Sequence, residues 1–407
     1  MKCRHCGSEL RLPFIDLGTA PPSNAYLTAQ QLHGPEKWYP LRVLVCENCW
    51  LVQTEDYVGT TDLFTDDYAY FSSISSTWLN HARDYVAAMV GRFGLGSNSL
   101  VVEIAANDGY LLQYVRERGI HCYGIEPTKA TASAARQKGL HIVEEFFGKR
   151  LAAELAKKGQ QADLVVANNV LAHVPDINDF VTGISSLLKP TGVATFEFPY
   201  LLNLVRENQF DTIYHEHYSY LSLTAVDRIF RANGLAVIDV EHLPTHGGSI
   251  RVFAQIAAVG ANASKAVETM LAQERNAGVT EGTFYAGFQP RAEAAKNALL
   301  VFLVEQKTAG RKVGAYGAAA KGNTLINFAG ARADLLPYVA DRNPAKQGKF
   351  LPGSRIPIVG EQHLRADRPD WVLILPWNIH AEIESQLAVI GEWGGKFVRA
   401  VPELTFS

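Results

Sequence analysis

The chain has 407 residues, longer than one ordinary core at ~150 residues per domain, so two to three domains are expected. Hydrophobic residues make up 47% and charged residues 19%, a balance that excludes a mainly disordered or collagen-like chain. With 38 Lys plus Arg against 41 Asp plus Glu, the formal net charge of -3 lacks the basic footprint that a phosphate backbone selects, so nucleic acid is not an expected partner.

The N-terminus, Met1-Lys2-Cys3-Arg4-His5-Cys6, lacks the apolar core of a signal peptide, and no apolar run approaches the ~20 residues of a membrane span. The cytoplasm is the expected compartment, with no membrane partner. Cys3, Cys6, Cys46 and Cys49 crowd the first fifty residues, and only Cys122 lies beyond them. Each C-x2-C pair aims two thiolates inward from a tight knuckle, and four thiolates complete a closed tetrahedral zinc site, which reads as structural. Two reducible disulfides are the alternative, disfavoured in a reducing compartment. His5, inside the first knuckle, is a substitute ligand. Leu41 to Val45 reads as a strand running into the second knuckle.

Beyond Gly94-Leu95-Gly96-Ser97, Leu100 to Ile104 reads as a buried strand, Ala105 to Gly109 as a tight loop, and Tyr110 to Arg118 as a helix. A second strand ends at Glu126, where a carboxylate can take both ribose hydroxyls. Ala162 to Asn169 and Val193 to Phe198 supply later strands, so a parallel doubly wound sheet is expected. A dinucleotide would need several glycines in the first loop. Here Ala105, Asn107 and Asp108 precede the single Gly109, and Glu103 precedes the loop. Carboxylates there repel a pyrophosphate and suit an amine and a sulfonium, which favours S-adenosylmethionine over NAD. Asn169, at the end of a later strand, is expected at the methionine end of that cofactor. His173 reads as a structural histidine.

Tyr214-His215-Glu216-His217 is the densest polar cluster, costly to bury without a purpose. In an extended stretch His215 and His217 share a face; in a turn all four could converge. A second metal site is the alternative to proton chemistry. Further on, residues 291 to 309 read as a long helix, followed by strands at Lys312 to Tyr316, Val339 to Asn343, Trp371 to Asn378 and Phe397 to Arg399. The turn Gly317-Ala318-Ala319-Ala320-Lys321-Gly322-Asn323 leaves backbone N–H groups for an anion, with Lys321 adding charge and Asn323 a further polar contact.

Together, the Cys-x2-Cys pairs, Glu103 to Gly109, Tyr214 to His217 and Gly317 to Gly322 make the chain similar to S-adenosylmethionine-dependent sugar C-methyltransferases that act on nucleotide-linked 4-keto-deoxysugars. The resemblance implies an α/β protein in which a Rossmann-like methyltransferase sheet is flanked by a small zinc-binding domain and a smaller C-terminal Rossmann-like domain. The expected divisions are residues 1–65, 66–285 and 286–407. It implies methylation at carbon 3 through an enolate, with His217 as base and Tyr214 and Glu216 assisting. A tyrosine of the Asp67 to Ser73 segment would join them, Tyr68 in preference to Tyr70. The Thr245 to Arg251 stretch also matches the family's pattern; its two glycines allow close backbone approach, with His246 and Arg251 as candidates for substrate and phosphate contact. A nucleotide-linked keto-deoxysugar is the implied partner. An O- or N-methyltransferase, or a zinc-containing sugar-nucleotide binding protein without turnover, are the rival readings.

Overall fold

The computed structural model describes residues 1–57, 59, 71–260 and 262–407. Tyr68 and Tyr70 lie outside the described residues. Three sheets organise the described residues.

The central sheet has seven strands. In spatial order they are Leu235–Leu243, Ser249–Ile256, Leu188–Pro199, Ala162–Asn168, Leu100–Ile104, His121–Ile125 and Ile142–Val143. All neighbours are parallel except that Ser249–Ile256 runs antiparallel to both of its neighbours. Strand order therefore reverses between Leu100–Ile104 and Ala162–Asn168, the switch point where such sheets bind ligands. The period of two is visible in the first strand. Val102 and Ile104 enter one core with Val165 and Phe196, while Val101 enters the opposite core with Leu164, Val166 and Tyr85. Glu103 points to that second face, which helix Ser76–Phe93 covers with Ala82, Tyr85, Val86 and Met89.

The N-terminal sheet is antiparallel, in the order Leu12–Ala20, Tyr39–Val45, Val52–Thr54 and Ser219–Tyr220. Its fourth strand comes from the middle of the chain, directly after the Tyr214 to His217 cluster. The C-terminal sheet runs Ile358–Val359, Val339–Ala340, Val313–Tyr316, Trp371–Ile374, Lys396–Arg399 and Thr405–Phe406, parallel but for the last strand. Helix Phe288–Thr308 buries Phe288, Ala292, Ala295, Leu299, Phe302 and Leu303, the i, i+3, i+4, i+7 spacing that puts apolar groups on one side. Phe14, Val43, Phe210, Ile213, Phe288, Val313 and Ala315 belong to one continuous core. The N-terminal and C-terminal sheets are thus joined through residues 201–213, and that junction carries the functional cluster. No helix among the described residues is long and apolar enough to cross a membrane.

Candidate active site

The four N-terminal sulfurs lie within 4.8 Å of one another, the closest pairs, Cys3 with Cys49 and Cys6 with Cys46, at 3.5 Å. A tetrahedral zinc with Zn–S near 2.3 Å requires S···S edges of about 3.8 Å. The donor set fits zinc. Both knuckles use one backbone device. Gly7 N–H returns to the Cys3 carbonyl and Trp50 N–H to the Cys46 carbonyl, each from a left-handed residue. Ser8 and Leu51 carbonyls then accept from the Cys3 and Cys46 amides. His5 is not a ligand: its Nδ1 lies 2.8 Å from Asn178 Oδ1.

The loop after the first central strand is held in sparsely populated backbone. Ala105 and Asn107 have φ of 56° and 50°. Across the switch point Asn169 has φ of 53°. Such values in non-glycine residues cost energy and cluster at sites that need them. Gly109, at φ 76°, lies so close to Leu140 that a Cβ would sit 2.2 Å from its Cδ1. Asn107 N–H donates to Glu126 Oε2 and Thr128 N–H to Glu126 Oε1, both at 2.9 Å. Asn107 Oδ1 accepts from Ser72 N–H at 3.0 Å, and Ser73 Oγ bonds Asp108, so residues 72 and 73 are tied to this loop. Lys138 Nζ lies 3.3 Å from Asp108.

Glu103 is 1% exposed. Burial lifts its carboxyl well above the usual range, and the Tyr110 hydroxyl offsets this only in part. Asn169 Nδ2 and both Glu103 oxygens are buried without a well-formed hydrogen bond. Groups left in that state are costly unless a ligand completes them. The cradle therefore fits a ligand that bears an acceptor for Asn169 and donors with positive charge for Glu103.

Residues 214–217 form a turn, His217 N–H donating to the Tyr214 carbonyl at 2.9 Å. The four side chains do not converge. His215 Nε2 goes to the Pro40 carbonyl at 3.2 Å, and Glu216 Oε1 accepts from Asn24 Nδ2 at 2.7 Å. Tyr214 and His217 stay together, ring centroids 3.9 Å apart. His217 Nδ1 is 2.8 Å from the Thr212 carbonyl. A carbonyl can only accept, so Nδ1 carries the proton and Nε2 the lone pair. Burial, reinforced by His173, Lys321 and His246, holds the His217 pKa well below the ordinary histidine value, so the ring is neutral near pH 7.

Three further elements close on this ring. His173, at the end of the turn after the fourth central strand, has its ring centroid 4.7 Å away, and burial lowers its pKa to about 4. His246, with φ 54°, packs on Trp78 at 5.2 Å, and burial brings it also to about 4. Lys321, opening helix Ala320–Ala329, lies over Trp377 at 4.8 Å with Asn378 Oδ1 at 3.1 Å, and burial lowers its amine to about 8. Trp377 Nε1 donates to Asp211 at 2.7 Å, and burial raises that carboxyl to about 7. The same helix bonds the cluster directly, Thr324 Oγ1 donating to the Ile213 carbonyl at 2.9 Å.

One expected contact is corrected. Arg251, expected on a phosphate, is 5% exposed and paired to Glu197 at 3.0 Å and Glu241 at 3.3 Å, over the Tyr85 ring. Its place in an interior strand leaves the guanidinium no route to a ligand phosphate. Asn323, expected on the substrate, donates from Nδ2 to the Ser23 carbonyl at 2.6 Å and ties its helix to the N-terminal loop, while its Oδ1 is buried without a hydrogen bond. Residues missed in the sequence include Asp211, Asn24, His81 and Glu197, the last two bonded at 2.9 Å. Glu197 had a signal: an acid inside the apolar run Val193 to Phe198.

Family models match three consecutive stretches: "Putative zinc binding domain" at residues 3–64, "Methyltransferase domain" at 78–240 and "C-methyltransferase C-terminal domain" at 244–402. The C-methyltransferase NovU of Streptomyces niveus is 36% identical over 402 residues, spanning 99% of this chain and 96% of that protein. The chain belongs to this C-methyltransferase family. It uses S-adenosylmethionine and carries a four-cysteine zinc site. Two other methyltransferases are similar over part of the chain. A ubiquinone biosynthesis O-methyltransferase of Stutzerimonas stutzeri (strain A1501) is 32% identical over 101 residues, 24% of this chain and 42% of that one. The magnesium protoporphyrin IX methyltransferase ChlM of Synechocystis PCC 6803, solved with bound SAM, is 16% identical, covering 49% of this chain and 85% of its own, with a TM-score of 0.35.

Proposed function

We propose that this C-methyltransferase acts on a nucleotide-linked 4-keto-deoxysugar and adds the methyl group at carbon 3, beside the ketone. The observation that carries the reading is His217: a buried, neutral imidazole with its lone pair on Nε2, beside the buried amine of Lys321. A proton next to a carbonyl is acidic enough for such a base, and a positioned base contributes ~10²–10⁴-fold. Thr212 fixes the tautomer, and the Tyr214 ring fixes the imidazole plane. Lys321 places a cation where an enolate oxygen gains negative charge, in a site whose burial strengthens that attraction. Glu216 acts through Asn24, positioning the N-terminal loop.

When bound, S-adenosylmethionine supplies the electrophilic methyl. Glu126 would hold its ribose, Asn107 and Gly109 would shape the loop, and Glu103, Asp108 and Asn169 would face its charged end. His246 would line the substrate side. The division at residues 65/66 and 285/286 belongs to the same reading, and limited proteolysis would locate it.

The test is proton exchange in D2O without cofactor, using dTDP- and GDP-linked 4-keto-6-deoxysugars, followed by NMR of the methylated product. Deuterium and then methyl at carbon 3 are expected. Exchange at carbon 5 alone would move the reaction to the other side of the ketone, and a methyl on oxygen would overturn the enolate.

A further inference from the structure

One short turn reaches three of the groups that meet around the His217 ring. Residues Phe210–Thr212 form a single 3₁₀ turn whose Phe210 is buried in the core shared by the N-terminal and C-terminal sheets. The Thr212 carbonyl takes the proton of His217 Nδ1. Just before the turn, Gln209 Nε2 donates to the Gly247 carbonyl at 2.7 Å and so pins the loop that carries His246. The Thr212 hydroxyl closes the turn on the Gln209 carbonyl at 2.7 Å. Between these two residues, Asp211 Oδ2 accepts from Trp377 Nε1. Gly247, at φ 86°, brings its backbone so close to that indole that a Cβ would lie 2.4 Å from Cη2. The indole thus meets the Asp211 carboxylate at its N–H edge and the Lys321 ammonium at its face, 4.8 Å from the centroid.

Asp211 is fully buried, and its Oδ1 has no well-formed hydrogen bond. A neutral acceptor would hold the indole without the cost of burying a carboxylate, so what the acid adds is charge. A cation over an indole face is already attracted by the ring, and the carboxylate at the ring's far edge adds to that attraction. Burial lowers the Lys321 amine to about 8, and Asp211 opposes that shift. The carboxyl itself, raised to about 7, is ionised over the range in which the amine titrates. The other groups that face Lys321 are His217 and His246, both neutral in that range, and the uncharged Trp377 and Asn378. Asp211 is therefore the anion to which the Lys321 cation answers.

We propose that Asp211 is a positioning residue that holds the Lys321 cation opposite the His217 base, acting through the Trp377 indole and through its own charge. The proposal rests on the enolate reading, in which Lys321 faces the oxygen that gains charge; base and cation then share one support, the Phe210–Thr212 turn. It is tested on the full-length zinc-loaded protein with dTDP- and GDP-linked 4-keto-6-deoxysugars, following deuterium exchange at carbon 3 and the pH profile of kcat/KM for methyl transfer. Asp211→Asn keeps an acceptor for the indole and removes the charge. The alkaline limb, set by Lys321, should move about one pH unit lower, which near pH 8 is about a 5-fold loss. Zinc content and S-adenosylhomocysteine affinity should stay as in the wild type. In a Lys321→Met background the same substitution should cost nothing further, because residues that act as one unit are not additive. A merely structural role would add its loss in both backgrounds. If Asp211→Asn does not fold, Trp377→Phe, which keeps a ring and loses the donor, gives the same two readouts. An unmoved limb, or losses that add, would overturn the assignment, while wild-type exchange at carbon 3 would leave the enolate reading standing. A wild type that exchanges no carbon-bound proton would overturn both.

Discussion

The four-cysteine knuckle and the His217 cluster both bury polar side chains, and they reach that state by opposite routes. The knuckle is local: two short turns, one spanned by the Lys2–Glu9 bridge and one joining Tyr39–Val45 to Val52–Thr54, supply all four sulfurs, and each turn closes its own backbone hydrogen bonds. The His217 cluster is assembled. Its ring stands between His173 of the turn after the fourth central strand, Lys321 of helix Ala320–Ala329 and a strand of the N-terminal sheet. A metal pays for burying four thiolates in one place, whereas a neutral imidazole needs only one carbonyl and a dry surround. The first arrangement is rigid and chemically closed; the second holds several groups with displaced proton affinities in reach of one another, as acid–base chemistry requires.

The largest effect should come from the knuckle. Cys49→Ser should lose zinc, melt the N-terminal sheet and abolish methyl transfer, since a structural zinc contributes on the order of 10 kcal/mol. Bound zinc and circular dichroism follow it; a metal-free protein that keeps fold and turnover would break the contrast. His217→Asn should lower turnover by ~10²–10⁴-fold while zinc content and S-adenosylhomocysteine affinity, read by calorimetry, stay unchanged.

The buried histidines also make stability depend on pH. Burial depresses the His246 pKa to about 4, so the unfolded chain takes up its proton first. Stability is full above pH ~6.5 and is lost as pH falls toward 4. His246→Gln should reduce that loss by on the order of 3 kcal/mol, read from urea midpoints at the two ends of the window. Lys321→Met removes a cation that depresses His217, so the acid limb of the kcat/KM profile should move to higher pH; an unmoved limb would detach Lys321 from the base. Cys122→Ala should do least. This thiol stands apart from the knuckle, and its removal should leave zinc stoichiometry and turnover unchanged, with stability altered by about 0.5–1 kcal/mol.

The same contrast explains what the sequence discloses. The knuckle is legible because both ligand pairs are contiguous and their spacing has one geometric meaning. Leu100–Ile104, Ala162–Asn168 and Val313–Tyr316 are legible because strands buried on both faces are mainly apolar runs. Glu103 and Glu126 stand out as acids against that background. Asp211, Trp377 and Asn24 do not, since each is an isolated polar or aromatic residue until the fold brings it to the cluster. Arg251 misled because a positive residue after two glycines looks the same whether it faces a ligand or an interior carboxylate. The choice between turn and extended chain at residues 214–217 is settled by the Tyr214–His217 hydrogen bond, and the chain extends only at Ser219–Tyr220, which pairs with Val52–Thr54 far upstream.

That pairing has a consequence for synthesis. The outer edge of Val52–Thr54 waits for Ser219–Tyr220 to leave the ribosome, and at ~5–20 residues per second the wait is roughly 10–30 s. During that interval a nascent N-terminal sheet presents an open row of N–H and C=O groups beside Leu51 and Val52, a template for pairing with another chain. Arrival of residues 219–220 closes the row and, in the same movement, sets the histidine just before them into place.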